Sequence, residues 1–165
     1  MLKQRTFSTM NNLSSDIREK AVLLLNQQLA DSLDLHSQTK QAHWNVKGLQ
    51  FYQLHLLFDS FAVSVEEYID LIAERATALG GTALGTTRMA AGASRLPEYP
   101  ADAVEGPQHI EALAERYAAV AKTTRAAIDS ASSFGDADTC DVFTEISRGL
   151  DQHLWMLESH LTAAK

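Results

Sequence analysis

All three prolines of the chain, Pro97, Pro100 and Pro107, fall in one short stretch. Proline fixes φ and lacks an amide hydrogen, so helix interiors exclude it. Residues 1–96 and 108–165 are therefore open to long helices, and the stretch between them is not. Glycines divide the rest. Gly48 interrupts the first half, Gly80 and Gly81 close a segment, and Gly85, Gly92 and Gly106 surround the prolines. Gly135 splits the last part, and Gly149 alone sits inside an otherwise helical run, at a cost in propensity.

Between these marks the apolar residues recur at i, i+3 and i+4. Asp16 and Glu19 predict a capping box opening a first helix, with Ile17, Ala21, Leu24, Leu25, Leu29 and Leu33 as its stripe. A second helix is expected from about Phe51 to Leu79. Its Leu56, Val63 and Leu71 lie off the main apolar face, which asks for more burial than one bundle interior supplies. Pro107 suits the first turn of a third helix. Asp136, Asp138 and Asp141 suit the start of a fourth. Four long helices with a long second-to-third connection predict an all-α, ferritin-like four-helix bundle, with a short extra helix at 86–93. The domain is expected over residues 16–165, behind a short flexible tail over 1–15.

The chain carries 21 acidic and 14 basic residues, for a net charge of −7, which argues against a broad nucleic-acid face. The single cysteine, Cys140, excludes an internal disulfide or a Cys-based zinc cluster and fits a reducing cytoplasm. No apolar run is long enough for a membrane span. Met1–Asn12 holds Lys3 and Arg5 without an apolar core, so no secretory leader is expected.

His43 and His55 are equidistant from position 49, beside the break at Gly48. In a tight antiparallel hairpin the two imidazoles sit at one level. Asp59 lies four residues beyond His55, on the same helix face. Two imidazoles and a carboxylate make half of a site for a divalent ion such as Fe²⁺. Asp70 and Glu74 form a second pair on that face. Eleven residues from Asp59 to Asp70 leave only ~20° of rotation, but ~16 Å along the axis. Paired metals sit roughly 3.5–4 Å apart, so one chain does not close the site. A second copy of the second helix, antiparallel across a two-fold axis, would lay Asp70 and Glu74 against His55 and Asp59 of the first, making two identical sites. The plain alternative is that each of these groups is a solvated or packed side chain. In-subunit di-iron bundles use Glu-x-x-His, and no glutamate here has His three residues on.

Larger motifs carry a resemblance. The run Lys40-Gln41-Ala42-His43-Trp44-Asn45-Val46-Lys47-Gly48, then Phe51-x-x-Leu54-His55-x-x-Phe58-Asp59, then Asp70-x-x-Ala73-Glu74-Arg75-x-x-x-Leu79-Gly80-Gly81 resembles the Dps family, the mini-ferritins. Ala83 to Thr87, Tyr99-Pro100 and Asp151-x-x-Leu154-Trp155-x-x-Glu158 extend the match over most of residues 20–163. The resemblance implies a hollow dodecamer with ferroxidase centres between two-fold related subunits. His43, His55 and Asp59 would come from one subunit, and Asp70 and Glu74 from its neighbour. It also implies oxidation of Fe²⁺, with hydrogen peroxide preferred over oxygen, and storage of ferric oxide, which protects DNA. Zn²⁺ is a competitor for such ligands. Trp44 matches an aromatic near the centre, with interface packing as the other reading. Asp136, Asp138 and Asp141 match an iron-entry pore, with simple helix N-terminal charge as the other reading. His36, seven residues before His43, is a candidate accessory group, whereas His153 and His160 read as packing or surface groups. The alternative function is a nucleoid-associated, DNA-compacting protein with a secondary metal site. Only Lys3 and Arg5 stand before Asp16 and a shell would multiply the negative charge, so DNA binding is not expected to dominate.

Overall fold

A computed structural model describes residues 5–162. The helices are α1 (Ser15–Asn45), α2 (Phe51–Ala78), α3 (Thr87–Ala93), α4 (Gly106–Phe134) and α5 (Ala137–Thr162). Among the described residues there is no strand, only an isolated parallel bridge between Lys47 and Glu105. The all-α expectation and the short helix in the connection are both met.

Helix ends follow local chemistry, with one correction. The cap of α1 is Ser14, whose side chain accepts from the Ile17 amide, while Asp16 instead pairs with Lys20 one turn on. Glu105 and Gln108 form the capping box of α4, with Pro107 in its first turn. Gly48 takes φ of 101° in the turn between α1 and α2, a region that disfavours any side chain.

Contacts along the helices set their directions. Gln38 and Thr39 of α1 meet Arg116 and Tyr117 of α4, while Gln28 meets Thr123 and Thr124, so α1 and α4 are antiparallel. Because α2 turns back from α1, α2 and α4 are parallel, as the long connection requires. Arg75 of α2 reaches the start of α5, and Tyr68 lies against Gly149. The core between them is led by Tyr117, Phe58, Phe61, Phe143, Leu25 and Leu29.

The connection from α2 to α4 is held by a polar stripe on α1. Gln27, Asp31, Asp34 and Gln38 recur at i, i+4, i+7 and i+11, on one face. Gln27 donates to the Ala93 carbonyl and Gln38 to that of Pro97. Asp34 accepts from Ser94, and buried Asp31 accepts from the Arg95 amide and guanidinium. Asn26 bonds both the Thr82 carbonyl and the Leu84 amide. The segment expected as a free tail is tied down over its described part. The Phe7 amide donates to Gly80 and Thr82 donates to the Arg5 carbonyl, because the Gly80–Gly81 bend leaves backbone groups unpaired. Lys3 lies outside the described residues.

Gly149 explains itself. A Cβ there would sit 1.7 Å from the Tyr68 hydroxyl oxygen. Gly149→Ala is therefore expected to lower stability by ~1–3 kcal/mol, despite its better helix propensity, because the rigid ring must leave its seat. Thermal or denaturant unfolding checks this, and a stabilised variant refutes it.

His153 is buried on α5, stacked on Phe61 with centroids 4.2 Å apart and edge-on to Tyr117. Its Nδ1 has no partner among the described residues. Burial lowers its pKa from 6.5 to about 4. A depressed histidine pKa means the folded state favours the neutral ring, so stability is lost as pH falls from 6.5 towards 4. The loss is at most ~3 kcal/mol. His153→Phe should flatten that part of the stability–pH curve; an unchanged slope between the two proteins would refute the assignment.

Candidate metal centre

The turn at 46–50 closes the α1–α2 hairpin tightly enough to stack the two histidines at its mouth. Their ring centroids are 3.8 Å apart and the planes 21° from parallel. Each ring bonds the other residue's backbone: His43 Nδ1 donates to the His55 carbonyl, and His55 Nδ1 to the His43 carbonyl, both at 2.8 Å. The His43 carbonyl is available because α1 ends two residues later and the Lys47 amide goes to Val104 instead. A carbonyl only accepts, so both Nδ1 atoms carry a proton, and in the neutral form of each ring the lone pair is on Nε2. This tautomer is the one a metal-ligating imidazole needs.

Asp59 joins them. His43 Nε2 stands 3.8 Å from Asp59 Oδ1, a separation that one ion bonded to both atoms at roughly 2.1 Å spans. The same oxygen is 2.6 Å from the Lys40 ammonium, and that hydrogen bond holds the carboxyl below the usual carboxylate range. Lys40 also lies 5.8 Å over the ring of Trp44, which is 66% exposed. Its role escaped the sequence reading, although the signal was present. Positions 40 and 59 are centred on 49.5, almost the midpoint that pairs the histidines.

Asp70 and Glu74 lie farther along α2, exposed. With Tyr52, Leu56, Asp59 and Val63 they fall within an arc of ~60° about the axis, while Leu54, Phe58, Phe61, Val65, Ile72 and Ala76 are buried on the opposite side. Tyr52, Leu56 and Val63 are 66%, 48% and 53% exposed. No group of three His, Cys, Asp or Glu among the described residues is close enough to hold a metal ion. One chain thus presents two imidazoles and a carboxylate at one end of this face, and two further carboxylates at the other.

The remaining candidates divide. Asp136 is buried, accepts from Arg75 at 2.7 Å and caps α5 through the Thr139 amide and hydroxyl. It is therefore a structural group and not a free pore carboxylate, which corrects its placement among the pore residues. Asp138, near Arg75, and Asp141 are exposed. His36 is half-buried on α1, with its pKa lowered by burial against an opposing pull from Glu66. His160 bonds the Met156 carbonyl on the surface. No described helix is long and apolar enough to cross a membrane.

Comparison with known proteins agrees with this architecture. Residues 22–165 match the ferritin-like domain family. A DNA protection during starvation protein of Agrobacterium fabrum is 44% identical over 157 residues, 95% of this chain and 97% of that protein. Among solved structures, DpsC from Streptomyces coelicolor superposes with a TM-score of 0.91 at 32% identity, covering 98% of this chain and 95% of that one. Mycobacterium smegmatis Dps gives 0.89 at 28% identity, covering 95% and 94%. With its five helices, its long stapled connection and this extent of similarity, the chain belongs to the Dps family of ferritin-like proteins.

Proposed function

We propose that the chain is an iron-oxidising and iron-storing mini-ferritin. On this reading its ferroxidase centres are completed across a two-fold axis by α2 of a second copy. The observation that carries the reading is the locked histidine pair. His43 Nε2 stands 3.8 Å from the Asp59 carboxylate with the His55 ring stacked on His43, beside an α2 face that also bears exposed apolar residues and the carboxylates Asp70 and Glu74. A two-fold apposition of α2 buries Tyr52, Leu56 and Val63 and brings Asp70 and Glu74 of one subunit to His43, His55 and Asp59 of the other. The self-assembly implied by the family, twelve subunits around a cavity, would use this face once per pair.

The substrate is Fe²⁺, drawn by carboxylates and held by borderline nitrogen donors. Asp59 and Glu74 supply oxygen ligands, His43 and His55 supply nitrogen, and Asp70 either ligates or orients an imidazole. Peroxide consumes two electrons and two protons to give two waters. Two Fe²⁺ ions each lose one electron, so oxidation in pairs avoids release of a hydroxyl radical. Such chemistry accounts for protection of DNA without requiring contact with it. It fits the name borne by the Agrobacterium relative. Ferric oxide stored in the shell removes the product.

Stopped-flow Fe²⁺ oxidation tests the reading. Peroxide should outpace oxygen in the wild type, and Glu74→Ala should slow the reaction by about tenfold or more. Equal rates in the two proteins would exclude the site, and equal rates with the two oxidants would exclude the peroxide preference. The alternative, DNA compaction with a secondary metal site, is disfavoured by the net charge of −7. A gel-shift assay at physiological salt should show no retarded DNA. A clear shift there, with oxidation insensitive to Glu74→Ala, favours compaction.

A further inference from the structure

We propose that Lys40 is the half-site's own cation, a positioning residue that keeps the metal-free interface assembled and that an incoming metal ion must work against. The proposal rests on the reading of His43, His55 and Asp59 as one half of a metal centre. Lys40 Nζ is 2.6 Å from Asp59 Oδ1, the same oxygen that stands 3.8 Å from His43 Nε2. The ammonium therefore holds the carboxylate atom that would meet a metal shared with the imidazole. It is not a loose surface group. The Lys40 side chain is only 23% exposed, and the ammonium lies over the Trp44 ring as well as against Asp59. Lys40 is on α1, one turn before His43, so its place is set by the same helix that sets the ligand.

Charge explains why such a cation is needed. Completing the site brings Asp59 together with the partner's Asp70 and Glu74, three carboxylates within a few ångströms. Without a metal they repel across the interface, and among the described residues nothing else pairs with Asp59 at salt-bridge distance except His43, which is neutral when its Nε2 is a free ligand. The Lys40 ammonium offsets one of the three charges. When a divalent ion binds, that benefit reverses, because the ammonium then faces a like charge a few ångströms away. One residue thus has opposite effects on the empty and the loaded site. A purely structural lysine would weaken both.

The test uses the full chain stripped of metal by a chelator, as wild type, Lys40→Met, Lys40→Gln and Lys40→Arg. Lys40→Gln keeps a hydrogen-bond donor without the charge, and it carries the test should Lys40→Met misfold by circular dichroism. Fe²⁺ affinity is measured by anaerobic calorimetry, and metal-free assembly by sedimentation at low ionic strength, where the repulsion is least screened. Lys40→Met and Lys40→Gln should bind Fe²⁺ about tenfold more tightly. Their metal-free assemblies should dissociate at protein concentrations where the wild type stays intact, with Fe²⁺ restoring them. Lys40→Arg should behave as wild type. Unchanged or weaker Fe²⁺ affinity, or metal-free assembly equal to wild type, overturns the proposal. Glu74→Gln separates the two levels. If wild-type Fe²⁺ binding is indifferent to Glu74→Gln, the metal-centre reading fails and this proposal with it.

Discussion

The polar stripe of α1 is the constraint on which the rest of the fold depends. Parallel placement of α2 and α4 requires a connection that travels the length of the bundle, and a long loop exposes backbone groups that need partners. Gln27, Asp31, Asp34, Gln38 and Asn26 supply those partners along one line. The stripe also makes α1 buried on nearly every side. α1 is thus the fixed spine, with α2 and α4 packed on its apolar faces and the connection on its polar one. The outer face of α2 is left uncovered as a direct result, because the connection passes over α1 instead.

That division explains what was legible in the sequence. Proline confinement and apolar periodicity showed four long helices, and the glycine break at 48 with its flanking histidines showed the mouth of the hairpin. The polar stripe was not legible, because Gln27, Asp31, Asp34 and Gln38 have the spacing of any solvated helix face, and only the returning connection turns that face inward. The same blindness affected Asp136. A carboxylate at a helix start reads as exposed charge, yet Arg75 from a distant turn of α2 buries it. Ser14 outcompeted Asp16 as a cap, because the run Ser14-Ser15-Asp16 offers several oxygens and only backbone geometry selects one. The pairing of His43 with His55 was legible, because hairpin symmetry needs no knowledge of distant contacts.

The inner face of α2 gives the outer one its rigidity. Tyr68 seats in the notch left by Gly149, Phe61 stacks on His153, and Arg75 locks onto Asp136 and Thr139. These contacts span the part of the helix that carries Asp70 and Glu74. Arg75 immediately follows Glu74, so the exposed carboxylate stands on a turn pinned from behind. On the proposed reading, a ligand pair that serves another subunit gains from this, since misplacement by about an ångström weakens a metal site.

On the proposed reading, splitting the ligands also makes the chemistry conditional. A chain with a whole site could oxidise iron wherever it diffused and would shed insoluble ferric product into solution. With His43, His55 and Asp59 at one end of the face and Asp70 and Glu74 at the other, the described residues of one subunit hold no closed site. On the proposed reading, catalysis then begins only when two copies of α2 meet. That is also the step that builds the container for the product. On that reading the exposed Leu56, beside His55, and Val63, between the two ligand groups, would fix the register of that meeting. A shift by one helical turn, ~5.4 Å, would take the carboxylates out of reach of the imidazoles. Interface packing and metal ligation are therefore a single geometric requirement on one helix face, and neither is met without the other.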